Sequence, residues 1–77
     1  MNKDRIEKIE VLTKLAKTLW VKRVEATEAR DKRIADWRES HSERDYENVV
    51  FYNGQRHAYQ NALEEVFDLM LDLVNGK

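Results

Sequence analysis

Val49-Val50-Phe51-Tyr52-Asn53-Gly54-Gln55-Arg56-His57-Ala58-Tyr59 is the stretch whose reading decides the fold. Read as strands, it spells a short hairpin in which β-branched and aromatic residues enter an Asn-Gly pair suited to a type I′ turn. Read as a helix, it opens a longer seam, because Val49, Tyr52, Arg56, Tyr59, Leu63, Val66, Met70 and Leu73 recur at alternating steps of three and four. Gln55 to Gln60 lacks the alternation a second strand needs, and a lone two-stranded hairpin is marginal in water. The seam also stays in phase across Gly54. Continuous helix is the favoured reading, with Gly54 costing about 1 kcal/mol relative to alanine, and the turn is the alternative.

Outward from this stretch the helical signal strengthens. From Ala58 onward the apolar residues cover a broad arc, with Asn61, Glu64, Glu65, Asp68 and Asp72 opposite, and Asn75-Gly76 is a fitting stop. That arc is wider than one partner helix covers. The four acids oppose the helix dipole, and Lys8, Lys14 and Lys17 on an antiparallel neighbour could offset them. Upstream, Ser42 followed by Asp45 forms a capping box, in which the serine oxygen accepts from an early N–H and the acid reaches back. Glu39 to Ser42 is therefore a turn.

Before the turn, Lys3 to about Arg38 contains no proline or glycine. Ile6, Ile9, Leu12, Leu15, Ala16, Leu19 and Trp20 lie on one face of it at helical spacing. Such a helix runs roughly 54 Å, longer than a compact domain this size needs. Its stripe turns polar midway, at Arg23, Ala26, Arg30 and Arg33, until Ile34 and Trp37 restore bulk. A charged middle with small residues either bridges to solvent or lines a polar layer.

The expected fold class is all-α: one domain over residues 1–77, with helices at about 3–38 and 43–74 and a turn at about 39–42. A short connection makes them pack antiparallel as a coiled-coil-type hairpin, with Leu12 near Met70, Leu19 near Leu63, and Trp37 near Tyr46 and Val49. A chain of 77 residues buries only about 60% of its unfolded surface. A homo-oligomer is therefore expected, with a dimer making a four-helix bundle favoured.

Composition narrows the chemistry. Cysteine is absent, which removes disulfides and thiolate chemistry. No apolar stretch reaches membrane-spanning length and no signal peptide is visible, so a cytoplasmic protein without a membrane partner is expected. The formal net charge is −1, so whole-chain electrostatics do not announce a nucleic-acid binder. The halves differ: residues 1–38 hold eleven basic and seven acidic residues, residues 39–77 three and eight. Opposite signs favour folding one helix on the other.

The antiparallel register sets Arg23, Arg30 and Arg33 opposite Tyr52, Arg56 and Tyr59, with Asn53 and His57 nearby. Guanidiniums on an otherwise apolar face seek anions, and tyrosines can stack a base, so these six residues are the candidate site for an anionic partner. The competing and favoured explanation is structural: the arginines lay their stems over the tyrosines and extend to solvent, or pair with Glu28, Asp31 or an acid of a second copy. Trp37 and Phe51 are candidate apolar contacts.

Glu25-x-x-Glu28 and Glu65-x-x-Asp68 are similar to the magnesium-holding pairs of all-α nucleoside triphosphate pyrophosphatases. They lie off the seam, however, and solvated surface is the better explanation. His41 and His57 lack metal-ligand spacing, no nucleophile elbow occurs, and no cofactor or enzymatic activity is expected.

Tyr52-x-Gly54-x-x-x-Ala58-Tyr59-x-x-Ala62-Leu63 resembles a pattern in the C-terminal helix of small helical accessory proteins encoded by bacteriophages and prophages. The resemblance implies a class that includes inhibitors of host enzymes and of host defence systems. It assigns no catalytic or binding residue. The expected function is a protein-interaction module acting on a host protein; nucleic-acid or nucleotide binding through the arginines and tyrosines is the alternative.

Overall fold

The computed structural model describes residues 2–76, which form two antiparallel helices, α1 (Lys3–Ser40) and α2 (Glu43–Val74), packed against one another. No strand occurs among the described residues. α2 runs unbroken through Asn53-Gly54, so the strand alternative falls.

Local chemistry sets the ends of both helices. The Asn2 side-chain oxygen accepts from the Arg5 N–H at 2.8 Å and caps α1. Within α1, Thr13, Thr18 and Thr27 return their hydroxyls to the carbonyls of Ile9, Lys14 and Arg23, which satisfies them inside a helix. At the far end His41 turns left-handed at φ 51°, and its N–H closes on the Trp37 carbonyl at 2.7 Å.

The capping box of α2 differs from the expected one in its second half. Asp45 N–H donates to Ser42 Oγ at 3.1 Å, as expected. The Asp45 carboxylate does not reach back to the Ser42 N–H; Ser40 Oγ accepts that N–H at 3.1 Å and itself donates to Asp45. α1 runs on to Ser40, and this brings the extra hydroxyl into the turn. Donation by Ser40 is the main reason that the Asp45 carboxyl sits below the ordinary aspartate range; desolvation opposes it, while Ser42, Arg33 and Arg44 assist. A lowered carboxyl pKa stabilises the turn above the ordinary aspartate range, and the contribution is lost as pH falls through the lowered value.

The core is thin. Ala16, Leu63 and Val66 are buried together, with Leu12, Leu19 and Met70 packed around them. Ala16 and Ala26, the buried residues of α1, are both small, which lets α2 approach closely. The molecule measures 57 × 16 × 12 Å, and its radius of gyration is 17.3 Å. A compact domain of this length has a radius of gyration of about 11.5 Å. Lys8, Lys14 and Lys17 make no ion pair with Glu64, Glu65, Asp68 or Asp72 among the described residues, and all seven are exposed.

Gly54 gives the first prediction. Nothing lies within 4 Å of the place a Cβ would take there. Gly54→Ala is therefore expected to stabilise the hairpin by about 1 kcal/mol through helix propensity alone. Thermal melting followed by circular dichroism should show Tm rising by about 4–8 °C.

Candidate functional site

Two surfaces stand out: a polar layer across the middle of the hairpin and an apolar end beyond it. The layer is built by heptad spacing on both helices. Arg23 and Arg30 on α1 face Gln60 and Asn53 on α2, each pair seven residues apart. Arg23 Nη1 donates to Gln60 Oε1, and its guanidinium lies 4.1 Å from the centre of the Trp20 ring. Gln60 in turn donates to Glu64 at 3.1 Å. Arg30 Nη1 donates to Asn53 Oδ1 at 3.2 Å, while its Nη2 pairs with Asp31 at 3.0 Å.

Between them sits Arg56, whose Nη2 meets His57 Nε2 at 3.3 Å. Its Nε is buried and has no hydrogen-bond partner. A buried guanidinium N–H without an acceptor is unfavourable, because water solvated it in the unfolded chain. Arg23 meets an amide and Arg56 an imidazole, and neither meets a carboxylate among the described residues.

The structure brings only part of the expected constellation together. Arg33 turns to Asp36 on its own helix, at 3.3 Å. Tyr52 and Tyr59 are half-buried in the seam, and Tyr52 meets the edge of Phe51 with ring centres 5.2 Å apart. Trp37 packs at the turn between His41 and Tyr46, with ring centres at 5.9 and 5.8 Å. Phe51 is 58% exposed. No group of three or more potential metal ligands occurs among the described residues, so Glu25, Glu28, Glu65 and Asp68 do not form one. No described helix is long and apolar enough to cross a membrane.

Sequence reasoning set tyrosines opposite the arginines and missed Gln60. The available signal was the matched seven-residue spacing of two arginines on one helix and two amides on the other.

Beyond Arg23 the surface turns apolar on both faces. One groove is lined by Trp20, Val21, Phe67 and Met70, over the buried Ala16. A second is lined by Val11, Leu12, Leu69 and Leu73, with Asp4, Lys8 and Asp72 at its border. At about 100° per residue, Trp20 and Phe67 fall on one side of the plane of the two helices, and Val11 and Leu69 on the other. The chain exposes 5892 Å² in all. A compact monomer of 9.2 kDa exposes about 4,900 Å². The excess, about 1,000 Å², is close to the 800 Å² or so that one partner buries in a standard interface.

Comparison of the chain with protein-family models, curated proteins and solved structures finds no match.

Proposed function

We propose that this hairpin is a non-enzymatic protein-interaction module that self-associates into a dimeric four-helix bundle and acts in the cytoplasm on a host protein. The apolar end carries the reading. Large apolar side chains lie open in two grooves there, and the surface in excess of a compact monomer is about one interface's worth. The host partner rests on the resemblance of the Tyr52 to Leu63 stretch to phage accessory proteins, a class that includes inhibitors. A second reading, binding of nucleic acid or nucleotide through the layer, is favoured by one observation: Arg23 and Arg56 meet no carboxylate among the described residues.

Light scattering after size exclusion, at low and high salt and with or without a short DNA duplex, separates the readings. The expected result is a mass of two chains or more that ignores DNA. A mass increase with DNA that salt abolishes moves the second reading to first place, because neutralised phosphates release counterions. A monomer at every concentration that ignores DNA defeats both the bundle and the nucleic-acid site.

A further inference from the structure

The outer side of α1, next to the Trp20 groove, carries a charge pattern of which contacts within the hairpin use one member, Glu25, among the described residues. Lys3, Glu10, Lys14 and Lys17 precede Val21 there, and Glu25, Glu28, Lys32 and Glu39 follow it, all exposed. At 100° per residue these eight lie within one sector of α1 about 80° wide. Residues equidistant from Val21 have opposite signs: Lys17 with Glu25, Lys14 with Glu28, Glu10 with Lys32, and Lys3 with Glu39. Glu7 stands equidistant with Ala35, so no like charges meet. In the hairpin Glu25 touches Lys22 at 3.8 Å, and none of the other seven enters an ion pair among the described residues.

We propose that a second copy of this chain packs antiparallel on the Trp20 groove, with the two-fold axis passing Val21, and that this charge pattern sets the register. The proposal rests on the reading that the hairpin self-associates, and adds which groove is covered and in which direction. A parallel copy would bring each charge against itself. Sliding the axis by one helical turn is also unfavourable, since it sets Glu10 against Glu25 in one direction and Lys17 against Lys32 in the other.

Division of labour follows from burial. Trp20, Val21 and Phe67 are 52%, 51% and 47% exposed in the hairpin, so they have the apolar area that supplies affinity. Solvated charges at the rim contribute little affinity but penalise wrong registers. The symmetric axis also makes each charge pair occur twice. Of the charges that line the Val11 groove, Glu7 and Lys8 stand equidistant from Val21 with the uncharged Ala35 and Ile34.

The chain has no cysteine, so single cysteines report without background. Val21→Cys lies near the axis, and Val11→Cys, at a position 65% exposed, lies on the opposite groove. Each variant, checked for helicity by circular dichroism, is treated with a short bis-maleimide and its mass measured by sedimentation. Val21→Cys is expected to become a covalent dimer. As a second measurement, Lys14→Glu with Lys17→Glu should weaken association about tenfold, and adding Glu25→Lys and Glu28→Lys should restore it to within about threefold. Cross-linking at Val11→Cys without cross-linking at Val21→Cys overturns the proposed seam and leaves self-association standing. A charge swap that fails to restore association overturns the register, and a monomer at every concentration overturns both this proposal and the bundle.

Discussion

Leu63→Ala is expected to cost about 3 kcal/mol, enough to remove most of the stability of the hairpin. Leu63 is 2% exposed and is the largest side chain so fully enclosed. It sits where Ala16 of α1 and Val66 of α2 meet, with Leu12, Leu19 and Met70 around it. The buried neighbours are small, so little can move into the space that Leu63 leaves. Removing three carbons there loses both their transfer free energy and the contacts of the cavity wall. A chain of this length has a total stability of about 4–12 kcal/mol, and a two-helix hairpin stands at the lower end. Urea unfolding followed at 222 nm should show the midpoint falling by more than half. Leu69→Ala is the control: Leu69 is 54% exposed, and its loss should change stability by less than about 0.5 kcal/mol. Equal losses at the two positions would mean that the centre of the core lies elsewhere.

The core was legible because helical periodicity is a property of backbone geometry. The seam from Val49 to Leu73 keeps its phase over the whole of α2, and any partner helix must meet it along that line. Gly54 did not break it, since one glycine costs little against a long run of packed neighbours. The polar layer was less legible. Arg23 and Arg30 could be assigned to the seam, but which atoms they meet depends on rotamers several bonds from the backbone. Their guanidiniums donate to the amide oxygens of Gln60 and Asn53. Arg33 sits far enough round α1 to choose Asp36 instead. The turn makes the same point on a smaller scale. Ser42 as cap follows from spacing, whereas the relay through Ser40 depends on α1 continuing two residues past Arg38.

Arg56→Leu is expected to raise stability by about 1–2 kcal/mol, increasing Tm by about 5–10 °C. The gain has a specific origin. Arg56 Nε is buried with no acceptor, and its Nη2 meets the His57 imidazole at 3.3 Å instead of a carboxylate. Leucine fills much of the same space in the seam with no polar atom to desolvate, and its position continues the apolar spacing from Tyr52 to Tyr59. Thermal melts of the two proteins measure the change directly, and binding decides its meaning. If the arginine layer holds an anionic partner, Arg56→Leu should melt higher and lose that partner, since a site kept ready for a ligand holds unfavourable electrostatics until the ligand arrives. A variant that melts higher and binds as before makes Arg56 a tolerated cost of the seam. A variant that melts lower shows instead that the Arg56 stem supports Tyr52 and Tyr59 by packing, and that the orphaned N–H costs less than the contacts it accompanies.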